Sequence, residues 1–86
     1  MAEYVTIIYT KITNKYEIKT VAHVLGTING ISSWTMDTQD PDNVLRLEST
    51  EDIAQVVKTS LFQNDIKSEV MAVFTTSTPY AYTTIL

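Results

Sequence analysis

Stretches of period-two and period-3.6 apolar spacing follow one another along this chain in a fixed order, and that order narrows the possible folds. "EYVTIIYT", Glu3 to Thr10, is crowded with β-branched and aromatic residues and reads as a central strand. After a polar loop, Lys11 to Glu17, the residues Val21, Val24, Leu25 and Ile28 fall at i, i+3, i+4 and i+7, one face of a helix. Asn29-Gly30 is read as its end, with glycine supplying a left-handed C-terminal conformation. "ISSWTMDT" then alternates, Trp34 and Met36 on one side, Ser33, Thr35 and Asp37 on the other. "QDPDN" is a turn by its Pro41 and its Asp and Asn side chains, and "VLRLE" resumes the alternation with Leu45 and Leu47 inward. Ser49 or Thr50 is the expected N-cap of a second helix carrying Ile53, Val56, Val57 and Leu61 on one face. A last strand begins near Ile66 and runs through "KSEVMAVF".

Strand, helix, strand, strand, helix, strand, with both helices one-sided, predicts an α+β fold. The expected form is the ferredoxin-like βαββαβ sandwich, a four-stranded antiparallel sheet with two helices on one face. At 86 residues the chain has room for one core. The core unit is expected over residues 1–74 and a tail over 75–86, "TTSTPYAYTTIL" from Thr75. Pro79 breaks regular structure there, but Tyr80, Tyr82, Ile85 and Leu86 are too apolar for a fully solvated end. Partial order is expected, with Tyr80 to Ile85 adding a fifth strand at a sheet edge; disorder is the alternative.

Ten acidic against six basic residues give a net charge of −4, with Arg46 the single arginine and the lysines scattered. Binding to phosphate backbones needs clustered basic residues, so neither nucleic acid nor an anionic membrane surface is expected as a partner. "MAEYVTIIYT" contains Glu3 and alternates, so it reads as neither a signal peptide nor a membrane span, and the cytoplasm is the expected location. The absence of cysteine removes disulfides, thiolate metal ligation and a cysteine nucleophile.

The run "YTKITNKYEIKTVAHVLGTINGISSWTMDTQDPDNVLRLESTEDIAQVVKTSLF" resembles a heavy-metal-associated domain, the fold of small copper chaperones and of the metal-binding modules of metal-pumping ATPases. Within that family it is similar to a short bacterial variety with a Trp-plus-Asp strand and a "PD-x-VL" hairpin, here Trp34, Asp37, Pro41, Asp42, Val44 and Leu45. The likeness covers about Tyr4 to Met71. The family's signature, a C-x-x-C pair on the loop after the first strand, is missing; the resemblance puts Asn14 and Glu17 at those positions. An amide oxygen and a carboxylate are hard donors and do not replace the sulfur ligation of copper(I). The resemblance therefore implies the fold, with a degenerate metal site, no cofactor and no transferred metal ligand.

Other candidates are weak. Asn14 and Glu17 with Thr13 fall short of the six to eight or so oxygens that calcium takes. The plainer reading is a turn-supporting Asn14 and a Glu17 whose charge suits a helix N-terminus. Asp37, Asp40 and Asp42 lack the glycine and distal glutamate of a calcium loop. His23 points about 160° from Val21 around the helix, so it is solvated and has no second ligand. No serine sits in a nucleophile elbow. Trp34 is expected in the core on the burial preference of large aromatics; facing outward with Tyr4 or Tyr9, it would anchor a partner.

The reading that follows is a non-catalytic interaction or accessory module. Protein partners or self-association would use Asn14, Lys15, Tyr16 and Glu17 of the loop, an exposed strand edge, or Tyr80 and Tyr82 of the tail. The alternative is a metal-binding or transport protein using oxygen ligands or a ligand lent by its partner. An enzyme has only the versatility of the fold in its favour.

Overall fold

The computed structural model describes residues 3–39 and 43–75 and the backbone of 82–84. The elements are β1 (Tyr4–Thr10), α1 (Lys15–Gly26), β2 (Ile31–Asp37), β3 (Val44–Ser49), α2 (Ala54–Gln63), β4 (Ser68–Thr75) and β5 (Tyr82–Thr84). The sheet order is β2-β3-β1-β4-β5, and every neighbouring pair is antiparallel. β3 therefore lies between β1 and β2, and β1 between β3 and β4, so the two strand–helix–strand units interleave. This is the expected ferredoxin-like architecture. The fifth strand, the reading favoured for the tail, adds to the outer side of β4.

Strand parity selects one buried face. Thr6, Ile8 and Thr10 of β1 and Leu45, Leu47 and Ser49 of β3 are buried. Across the strands Ile8 faces Leu45 and Thr6 faces Leu47, so these side chains form continuous rows. Val21, Val24 and Leu25 of α1 and Ala54, Val57 and Leu61 of α2 join the same cluster, which places both helices on that face. Trp34 and Met36 pair with Leu47 and Leu45 and pack against this cluster, so Trp34 belongs to the core side, as its size favours. β4 departs from strict alternation. Its register against β1 shifts between Ile7 and Ile8, which pair with Ala72 and Val70 and leave Met71 as the extra residue. That bulge allows Val70 and Val73, three residues apart, both to be buried.

Three local expectations are corrected. α1 ends at Gly26 with Thr27 as its cap, so Ile28 packs on the core from beyond the helix. Gly30 takes its left-handed φ of 96° just before β2, where its carbonyl accepts the Thr50 N–H at 2.9 Å. Ser49 and Thr50 do not cap α2. Ser49 ends β3 and donates its hydroxyl to the Glu51 carbonyl at 2.6 Å, while the cap position is Ile53, with no side-chain hydrogen bond. Finally, Val56 is 52% exposed. With α2 starting at Ala54, the buried stripe runs Ile53, Ala54, Val57 and Leu61, and Val56 lies about 100° around the helix from Val57.

Among the described residues no helix is long and apolar enough to cross a membrane.

Candidate functional site

The corner between β1 and α1 is where the resemblance would place a metal. The helix starts at Lys15, so the loop proper is only Lys11 to Asn14, and Lys15, Tyr16 and Glu17 form the first helical turn. The loop is held from beneath by distant chain. Ile12 is buried, the Lys11 N–H donates to the Lys67 carbonyl at 2.9 Å, and the Asn43 side-chain amide donates to the Ile12 carbonyl at 3.3 Å. Asn43 itself receives the Thr10 hydroxyl on its carbonyl at 2.8 Å, and its φ of 49° is one that asparagine tolerates better than most residues. The turn reading gave Asn43 a local role; its side chain instead braces the site across the fold. Asp37 keeps the expected local role, its Oδ1 accepting the Gln39 N–H at 3.0 Å. Asp40, Pro41 and Asp42 lie outside the described residues.

Asn14 is the N-cap of α1. Its extended backbone directs Oδ1 at the first turn, where it accepts the N–H groups of Tyr16 at 2.9 Å and Glu17 at 3.1 Å. Glu17 bends back and accepts both the backbone N–H and the hydroxyl of Thr13 on Oε1, each at 2.8 Å. The arrangement is a capping box, with the returning carboxylate bound one residue ahead of the cap. It gives Glu17 more than the helix-end charge expected of it. Hydrogen bonds from the Thr13 backbone and hydroxyl stabilise the ionised form and hold the Glu17 carboxyl below its ordinary value of 4.5.

That shift has a testable sign. Because the folded-state value lies below the unfolded one, Glu17 contributes its stabilisation fully above the unfolded value and loses it as pH falls through the folded one. Wild type is therefore expected to exceed Glu17→Gln in melting temperature at about pH 7, with the gap closing towards about pH 3. Melts of both proteins across that range check it, and a gap that is constant with pH would refute the box.

The same bonds decide what the corner can do chemically. Asn14 Oδ1 and Glu17 Oε1 are committed to local N–H and O–H donors, and the chain has no thiolate to offer. Among the described residues no group of three or more His, Cys, Asp or Glu side chains is placed to hold a metal ion. His23 is exposed near the C-terminal end of α1. The corner does not fit copper(I) or any other thiophilic cargo. On the open face of the sheet, Arg46 is ion-paired with Glu48 at 2.6 Å, so the lone guanidinium is no free anchor for a phosphate.

The residues singled out for interaction do not converge on one place. Asn14, Lys15, Tyr16 and Glu17 share the corner, with Tyr16 69% exposed. Tyr82 opens β5 opposite Phe74. Phe74 pairs with Val5, near the start of β1, whereas the corner follows Thr10, which pairs with Ser68. The six residue steps from Ser68 to Phe74 span roughly 20 Å. Tyr80 lies outside the described residues.

No protein-family profile matches the sequence, and no curated protein matches it either. Among solved structures, the fold is similar to the copper(I)-loaded first domain of the human copper chaperone for SOD1. The TM-score is 0.66 at 13% identity, over 79% of this chain and 92% of that one. At that identity the likeness establishes a shared fold and nothing about cargo.

Proposed function

We propose that this chain is a divergent, non-catalytic member of the heavy-metal-associated domains. In this reading the metal-gripping corner has become a helix cap, and the domain acts by protein contact. One observation carries the reading: Asn14 and Glu17, which the resemblance places at the positions of the family's thiolate pair, are engaged in closing the end of α1. A corner built that way is stiff, because Asn43 and Lys67 brace it and the cap engages Asn14 Oδ1 and Glu17 Oε1. It displays Tyr16 at its surface, and tyrosine is a residue type enriched at the energetic centres of interfaces. The similarity to a chaperone domain supports the fold this reading needs.

The experiment has two arms. Thermal melts with copper(I), zinc, nickel, manganese and calcium should leave the midpoint unmoved. A cation at a hundredfold excess over its Kd would add about 2.7 kcal/mol. In a domain of this size that is a rise of roughly 10 °C or more. Such a rise with any of the five would replace this reading by metal binding through oxygen ligands. In the second arm, chemical cross-linking in lysate should capture a defined partner with wild type and with Asn14→Ala, and lose it with Tyr16→Ala. A partner retained equally by all three would move the contact away from this corner.

A further inference from the structure

A second surface has a chemistry of its own. On α2 the residues Gln55, Lys58, Thr59 and Phe62 fall at i, i+3, i+4 and i+7, a continuous stripe beside the buried one. Across from it, Lys67 and Ser68 lead into β4, and the six side chains line a groove of about 480 Å³. That volume lies within the range of small-molecule sites. Phe62 stands 69% exposed at its wall, an unusual state for phenylalanine. The Ser68 hydroxyl is shielded from solvent and has no hydrogen-bond partner among the described residues.

The chain as a whole is acidic, at −4, yet two of its lysines and no acidic residue line this groove. Asp65 and Glu69 flank Lys67 in sequence, but the ion pair among the described residues is that of Arg46 with Glu48, and neither lysine of the groove takes part in one. A lysine ammonium is a compact point charge rather than a planar fork. Two of them beside an aromatic wall suit a single carboxylate carried on a flat apolar body. The ring would lie against Phe62 and the carboxylate between Lys58 and Lys67.

We infer that the α2–β4 groove binds a small aromatic carboxylate. This site is separate from the capped corner and does not depend on the proposed function. The test uses the full chain and 2-naphthoate as probe, followed by amide chemical shifts. Saturable shifts are expected at Lys58, Phe62, Lys67 and Ser68. Lys58→Gln and Lys67→Gln should each weaken binding by about threefold, and together by more. The neutral isostere 2-naphthalenemethanol should bind at least about threefold more weakly than the carboxylate, since it forfeits the charge pairing. Phe62→Ala should weaken both compounds. All three positions are exposed, so the variants are expected to melt as wild type does. Should Phe62→Ala fail to fold, the lysine variants and the neutral isostere still decide the matter. Shifts that map elsewhere, shifts that do not saturate, or equal affinity for the acid and the alcohol would each overturn the inference.

Discussion

Replacing Asn14 and Glu17 together by cysteine should turn a corner without a soft ligand into one that binds copper(I), with affinity at least about a thousandfold above the parent. The two positions are the N-cap and third residue of α1, so their side chains meet near one end of the helix, as their present bonds to the same turn show. Two soft thiolates then replace an amide and a carboxylate. The helix N-terminus favours the thiolate form by its partial positive charge, so the pair is primed at neutral pH. The substitution also removes a cap. Loss of the Asn14 side chain alone costs about 1 kcal/mol, and the Thr13 tether to Glu17 goes with it. The metal-free variant should therefore melt below wild type and the copper-loaded variant above it. Competition against a chromophoric copper(I) chelator under reducing conditions, with melts of both forms, reads the two effects separately. A variant that folds but fails to outbind wild type would mean that the correspondence of Asn14 and Glu17 with the family's cysteines is wrong.

The corner illustrates how far local sequence reaches. Asn14 before a helical pattern and an acid three residues later are visible in the letters, and their capping role follows once Lys15 is known to begin α1. Counting the helical pattern from Val21 leaves Glu17 at the end of the loop with only a helix-end charge, and does not show its bonds back to Thr13. The brace from Asn43 was hidden for a different reason. It joins residues 31 apart in sequence, which no local pattern encodes. The same division runs through the fold. β2 and β3 were legible because burial on one face imposes alternation, as Leu45 and Leu47 show plainly, whereas β1 was legible from its β-branched and aromatic content, its buried face carrying Thr6 and Thr10 beside Ile8. β4 obscured its pattern with a bulge at Met71. The α2–β4 groove combines a helical stripe present in the sequence with Lys67 and Ser68, which only the folded chain brings beside it.

The phase of α2 supports a prediction that two adjacent residues decide. Val57→Asp is expected to abolish folding at neutral pH. Val57 is fully buried within the stripe of Ile53, Ala54 and Leu61, in the cluster that joins both helices to the sheet. The change forfeits about 1.5–3 kcal/mol of valine burial. It also places a carboxylate, at a further cost of several kcal/mol, in a core whose buried polar residues, among those described, are Thr6, Thr10 and Ser49, none of them a cation. Their sum rivals the whole stability of a chain this size, about 4–10 kcal/mol. Val56→Asp, one residue earlier, should do the opposite. Val56 is more than half exposed and is the third residue of a helix whose first turn carries no acid and whose cap makes no side-chain hydrogen bond. The Ala54 N–H already donates to Asp52 Oδ1 at 3.3 Å, so an aspartate at position 56 acts on the helix N-terminus by its charge and should be neutral or stabilising by about 0.3–1 kcal/mol. Far-UV circular dichroism at neutral pH and urea titration of the Val56 variant are sufficient. The contrast cannot come from composition, since both variants exchange one valine for one aspartate. If Val56→Asp unfolds the protein and Val57→Asp does not, α2 is rotated by one residue and the groove beside Phe62 does not exist as drawn.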